Sequence, residues 1–183
     1  MSDLAAAIMD AAERRMRRGG FNGFSFREIA ADVGVKSSSV HYHFPTKGDL
    51  AAAVIKRYTA ENAEMFEREF AKEANPVKVF VKAFRVTIHS PDRMCPCAVL
   101  GGSSQDLPPE VAAEVKRFFK MCHDKLVERG LPSDEASQLL STITGAQVVA
   151  NAMNDLSIYD SATREFVKTM KPAPASTAAR RAK

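Results

Sequence analysis

Apolar residues recur along this chain at intervals of three and four, and no stretch keeps the strict alternation of a half-buried strand. The pattern therefore predicts an all-α protein of about nine helices. The first should follow the cap Ser2-Asp3, carry Leu4, Ile8 and Ala12 on one stripe with Met9 and Met16 beside it, and stop at Gly19-Gly20. Ser25 and Glu28 have capping-box spacing, in which hydroxyl and carboxylate satisfy each other's free backbone donors. They open a second helix that ends at Gly34. A third, short helix should begin near Lys36-Ser37 and run to Phe44, because Pro45 cannot continue it. Thr46 and Asp49 repeat the capping box and launch a long fourth helix through Leu50, Val54, Tyr58, Met65 and Phe70, ended before Asn75-Pro76.

Downstream, the segment from Pro76 to about His89 carries Val77, Val79, Phe80, Val81, Phe84, Val86 and Ile88 almost all the way round, the mark of a buried central helix. A short sixth helix is expected from Ala98 to Ser104. A seventh should run from Pro108-Pro109-Glu110 through Val111, Val115, Phe118, Cys122 and Leu126 to Gly130. Ser133 should cap an eighth that reaches about Asp155, and a ninth should span Ser161 to Met170. In the eighth, Gly145, Ala146, Ala150 and Ala152 are small enough to let another helix approach closely. Residues 172–183, rich in Ala, Pro and Arg, have nothing to bury and are expected to form a disordered basic tail.

An apolar content of 45% in 183 residues is enough for a substantial core in one large or two small domains. The N-terminus lacks a signal-peptide pattern, and no apolar run approaches the roughly 18 residues of a membrane helix, so a cytoplasmic protein with no membrane partner is expected. Three cysteines are too few and too odd for a secreted disulfide framework, which leaves reduced thiols as the expectation. The net charge of +4 is unevenly spread: residues 1–60 carry nine Lys/Arg against six Asp/Glu, whereas residues 61–170 carry thirteen against sixteen. A basic head on an acidic body directs the head toward a polyanion.

Two short helices joined by Gly34-Val35, with Ile29, Val33, Val40 and Phe44 for their inner faces, have the proportions of a helix-turn-helix. Ser37, Ser38 and Ser39 put short hydrogen-bonding groups at the leading end of the second helix, and His41, Tyr42 and His43 follow on its outer surface. Such a helix can lie close inside a major groove.

The stretch Gly20 to Tyr58 resembles the DNA-binding domain of the TetR/AcrR repressor family. The resemblance rests on the Phe26-Arg27-Glu28-Ile29-Ala30 helix, the Gly34-Val35 turn, the Tyr42-His43-Phe44 exit and the Pro45-Thr46-Lys47 opening of the fourth helix. It implies a DNA-binding domain over residues 1–47 and a ligand-binding and dimerisation domain over residues 48–171. It also implies a homodimer formed through helices eight and nine, a palindromic operator in double-stranded DNA, and repression relieved by a small-molecule inducer, with activation as the alternative. Residue by residue, it implies base or adjacent phosphate contacts for Lys36, Ser37, Ser38 and His41, and backbone contacts for Tyr42 and His43. Lys47 matches a phosphate contact at a helix N-terminus, and Ser25 and Arg27 sit where the second helix touches a phosphate. Where the family often has Gly-Thr-Leu-Tyr, this chain has Ser38-Ser39-Val40-His41, so base preferences do not transfer.

The same resemblance implies a ligand cavity among helices five to eight. Phe80, Phe84, Ile88, Phe118, Phe119 and Met153 are the candidate walls, each equally at home in an ordinary core. Met94-Cys95-Pro96-Cys97 lies where the chain leaves the fifth helix, and a thiolate there could add to an electrophilic or unsaturated compound. Cys97 is expected just before the sixth helix, whose N-terminus would lower its pKa, and Cys122 is a third candidate. The other readings are inert buried thiols beside a reversible ligand, a disulfide from Cys95 or Cys97 to Cys122, and a zinc set of Cys95, Cys97, Cys122 and His123 that lacks a specific zinc spacing. No catalytic residue, cofactor or metal is assigned. Cys122-His123 is the only hint of a nucleophile and base, and helix neighbours point about 100° apart.

Overall fold

The computed structural model describes residues 3–90, 92, 94–170 and 172, and these contain nine α-helices, two short 3-10 turns and no strand. The helices are α1 (Asp3–Gly19), α2 (Phe26–Val33), α3 (Ser37–His43), α4 (Lys47–Phe70), α5 (Pro76–His89), α6 (Pro96–Gly101), α7 (Pro109–Glu128), α8 (Ser133–Ala152) and α9 (Ser157–Thr169). Apart from Pro172, the expected basic tail lies outside the described residues. Two compact units divide the chain, Met1–Asn62 with Ser90–Phe119 and Ala63–His89 with Lys120–Lys183, and the division falls inside α4 and α7. The unit that holds the helix-turn-helix thus extends beyond residue 47 and takes in α6.

In the first unit, α1 packs against α2, α3 and α6. Its stripe of Ala5, Ile8, Met9, Ala12 and Met16 is buried together with Phe24, Ile29, Val40, Leu50 and Val54. Each fully buried side chain of Val, Ile or Met size contributes about 1.5–3 kcal/mol. The arginines of the last turns of α1 pair with side chains and backbone of other segments. Arg15 donates to Asp32 at 2.6 and 3.0 Å and to Glu28 at 3.0 Å, Arg18 pairs with Asp92 at 2.8 Å, and Arg17 donates to the Met94 carbonyl at 2.6 Å. Side-chain bonds therefore fasten the C-terminal part of α1 both to α2 and to the segment before α6.

In the second unit, α5, α8 and α9 pack on one another. Phe66 stacks on Phe80 with centroids 4.1 Å apart and planes 9° from parallel, and Phe70 and Phe84 extend the aromatic row. Buried polar groups tie the helices together: Tyr159 donates to the Val81 carbonyl at 2.9 Å, and Gln147 Nε2 donates to the Phe84 carbonyl at 3.1 Å.

Four expectations change. α5 is not buried all round, because Lys78, Lys82, Arg85, Val86 and His89 share one outer face and Val86 is 64% exposed. α6 starts at Pro96, two residues early, since proline is preorganised for the first helical position. Ser133 makes no side-chain cap for α8; instead His123 Nε2 lies 3.2 Å from both its carbonyl and its hydroxyl oxygen. α9 begins at Ser157, whose N–H is held by the Asp155 carboxylate at 2.9 Å.

Candidate nucleic-acid interface

The surface is built around α3, whose Val40 is fully buried and whose C-cap Phe44 is 9% exposed, so these two fix the rotation of the helix. Lys36, Ser38, His41 and Tyr42 are consequently exposed, with Tyr42 at 85%, while Ser37 and His43 are partly covered. The turn into α3 depends on Gly34, which takes a φ of 76°. From that conformation the N–H groups of Gly34 and Val35 close on the carbonyls of Ala31 and Ala30 at 3.3 and 2.9 Å, a Schellman closure that favours glycine.

Aromatic contacts hold the outer side chains. The His41 ring meets Phe26 of α2 edge-on at 4.5 Å, and Tyr42 meets His43 edge-on at 5.3 Å. Ser25 caps α2 as expected: its hydroxyl accepts from the Glu28 N–H at 3.3 Å and donates to the Glu28 carboxylate at 2.8 Å. A phosphate contact from Ser25 would require that hydroxyl to turn away from Glu28. Arg27 is exposed on the same helix.

The N-terminus of α4 completes the surface. Thr46 and Asp49 exchange three hydrogen bonds of 2.8–3.0 Å as a capping box. Beside it, the Lys47 ammonium lies 4.6 Å from the Phe21 ring centroid and 4.7 Å from that of Phe24, and partial burial lowers its pKa. At the next position Gly48 is buried, and a Cβ there would meet the flexible end of the Glu110 side chain and, at 3.4 Å, the Pro108 ring. Sequence reasoning missed a further basic feature, a cavity of about 510 Å³ lined by Arg14, Arg15, Arg18, Gly19, Gly23 and Asp32. Its signal in the sequence was the placing of Arg14, Arg15 and Arg18 within five residues of α1.

The candidate ligand residues fall in two groups. Phe80, Phe84, Ile88 and Cys122 are buried in the second unit, whereas Cys95, Cys97 and Phe118 are buried, and Phe119 half-buried, in the first. Met153, expected as a cavity wall, is instead the C-cap of α8 and 66% exposed. None of the three cysteines is in a disulfide, and no group of three or more His, Cys, Asp or Glu among the described residues is placed to hold a metal, so the four-ligand zinc set does not come together.

Because α6 begins at Pro96, Cys95 and not Cys97 is its N-cap. Burial pushes the Cys95 thiol up, but hydrogen bonds from Cys97, from the backbone at Ala98 and Cys97, and from the Tyr58 hydroxyl outweigh it and bring the pKa down to about 7. Burial and the neighbouring thiols push Tyr58 well above its ordinary value, so it stays a donor. The Arg17 guanidinium lies 5.2 Å from the Tyr58 ring centroid. Neither Tyr58 nor Arg17 was legible as a partner of these cysteines in the sequence.

A helix-turn-helix with a polar, solvent-facing second helix, in a chain whose described residues form only helices and turns, has the architecture of a helical DNA-binding protein. Residues 8–54 match the family described as bacterial regulatory proteins, tetR family. An HTH-type transcriptional regulator of Bacillus subtilis (strain 168), YezE, is 24% identical over 142 residues, covering 74% of this chain and 72% of its own length. Among solved structures, a TetR regulator from Legionella pneumophila is 25% identical with a TM-score of 0.84, covering 93% of this chain and 99% of that one. A TetR-family regulator from Agrobacterium tumefaciens is 24% identical with a TM-score of 0.83, covering 93% and 98%. Residues 8–54 therefore carry the tetR-family DNA-binding domain, and the chain shares the fold of solved TetR-family regulators.

Proposed function

We propose that this regulator is a homodimeric, cytoplasmic repressor that grips a palindromic operator through residues 1–47 and lets go when a small molecule acts on residues 48–171. The outer surface of α3 carries the DNA half of this reading: Lys36, Ser38, His41 and Tyr42 stand exposed while Val40 and Phe44 hold the helix in place. On this reading Lys36, Ser37, Ser38 and His41 reach base edges or adjacent phosphates. Tyr42, His43, Lys47, Ser25 and Arg27 hold the backbone. The dimer forms through α8 and α9, because α8 turns Gly145, Val148, Val149, Ala152 and Met153 to solvent, a small and apolar stripe suited to a four-helix bundle with a second copy.

For induction, the Cys95 sulfur is the reacting atom. Its thiolate adds to a carbonyl-activated carbon–carbon double bond, one C–S bond forms, and the proton lost from sulfur is returned from solvent to the α-carbon. The low pKa of this thiol supports the reading. A second reading, a reversible ligand in the second unit, is favoured by Gln147 Oε1 and Thr144 Oγ1, which are buried without a hydrogen-bond partner among the described residues. An unmet buried acceptor costs about 1–3 kcal/mol, which a donor on a ligand packed against Phe80, Phe84 and Ile88 would recover.

Selection from a pool of random-sequence duplexes tests the DNA half. An enriched inverted repeat whose affinity falls steeply with salt is expected; no enrichment would overturn it. Intact-mass measurement of the selected complex, treated with a panel of α,β-unsaturated carbonyl compounds and neutral aromatics, separates the two inducer readings. An adduct on Cys95 that tracks release supports thiol addition, and release without an adduct assigns induction to the reversible site.

A further inference from the structure

We infer that Cys95 and Cys97 form a site for one soft monovalent metal ion, Cu(I) or Ag(I). The two thiols, separated by a single residue, are both buried in the first unit, Cys95 1% and Cys97 0% exposed. Pro96 fixes the start of α6 between the two cysteines, and the Cys95 sulfur lies within hydrogen-bonding reach of the Cys97 thiol. A linear two-thiolate ion needs its sulfurs only slightly farther apart than that. Residues this close in sequence do not make an easy unstrained disulfide, so the pair persists as a dithiol chelate.

The surroundings fit an anionic complex. An inert core cysteine packs among apolar groups, whereas Cys95 is met by the Tyr58 hydroxyl and by the backbone at Cys97 and Ala98. The Arg17 guanidinium donates to the Met94 carbonyl at 2.6 Å and to Glu13 at 2.7 Å, which sets a fixed cation beside the sulfurs. Binding breaks two S–H bonds, forms two metal–sulfur bonds and sends two protons to solvent, with no electron transferred. One monovalent ion on two thiolates leaves a single negative charge, and Arg17, shared with Glu13, is the cation on this side. A divalent ion would call for further nitrogen or oxygen ligands, and no third His, Cys, Asp or Glu joins the pair among the described residues. Soft thiolate donors select Cu(I).

The inference does not rest on repression, although it claims the same sulfur atoms as thiol addition. The test is an anaerobic titration of the reduced full-length chain with Cu(I) buffered by the chromophoric chelator bicinchoninate. Wild type should withdraw one Cu(I) per chain and gain a near-ultraviolet thiolate-to-Cu(I) band, with no competition from Zn(II). Cys95→Ser and Cys97→Ser should each lose the band, and Cys122→Ser should keep it. Tyr58→Phe should weaken binding about 10-fold or more by removing an outer hydrogen bond. Circular dichroism melts show which variants are folded. Failure of wild type to take Cu(I) from the chelator, or full binding by a folded Cys95→Ser/Cys97→Ser double variant, would overturn the assignment. Either result stands whether or not unsaturated compounds release DNA.

Discussion

Helices α3 and α8 both turn an unpaired face to solvent, and the chemistry of the two faces is opposite. α3 shows Ser38, His41 and Tyr42 around its anchors Val40 and Phe44, with the N-cap Lys36 at its leading end. α8 shows Gly145, Val148, Val149, Ala152 and Met153, opposite the buried Ala146 and Ala150, with Val148 and Val149 each 46% exposed. A polar face is stable in water and gains only from a surface with matching hydrogen-bonding groups. An apolar face costs about 25 cal/mol per Å² for as long as it stays uncovered. The first suits the groove of a nucleic acid, and the second suits a copy of itself.

Breaking the apolar face should have the largest effect. Val149→Asp buries a charge at the proposed α8 contact, so sedimentation should find monomers, and operator affinity should fall about 100-fold or more as two linked half-sites become one. A dimer that persists with unchanged affinity would move the interface elsewhere. On the polar side, Lys47→Ala should weaken binding to every sequence by about 1.5–3 kcal/mol and lower the salt slope by about 1. An unchanged slope in a salt titration would remove Lys47 from the phosphate contacts. Ser38→Ala should cost about 1 kcal/mol, concentrated at one base position. Uniform loss across a set of single-base operator variants would take Ser38 out of base readout.

A smaller effect is expected from Cys95, which belongs to neither face. Because its folded-state pKa is depressed to about 7, alkylation of the native chain should rise through pH 7 and level off, instead of climbing to the ordinary thiol value near 8.5. The linkage has a definite sign. A depressed pKa contributes stability above the ordinary thiol value and loses it as pH falls through about 7, so the melting-point advantage of wild type over Cys95→Ser should shrink on acidification. An advantage independent of pH would show that Cys95 is a neutral packing thiol.

The local frame of α3 was largely legible in the sequence because it is set by local rules. The capping boxes Ser25–Glu28 and Thr46–Asp49, the left-handed Gly34 and the stop at Pro45 each act over a few residues, and all four fall where spacing placed them. Errors arose where counting replaced periodicity. The seven apolar residues of α5 suggested burial all round, while the spacing of Lys78, Lys82, Arg85 and His89 already marked an outer face. Pro96 outweighed the small residues after it in setting the start of α6, which exchanged the roles of Cys95 and Cys97. The bond from Arg17 to Met94 spans 77 residues, and the contact of Tyr58 with Cys95 is likewise non-local, so no spacing rule reveals either. Met153 looked like a core side chain by type, but its place after the last turn of α8 leaves it in solvent.

The central claim, that two copies of α3 read one palindrome, is tested most directly by inserting about five base pairs, half a helical turn, between the halves of the selected operator. The two recognition helices would then face opposite sides of the duplex, and affinity should fall to that of a single half-site. Equal affinity for the original and the lengthened duplex would contradict a rigid dimer reading two grooves at once.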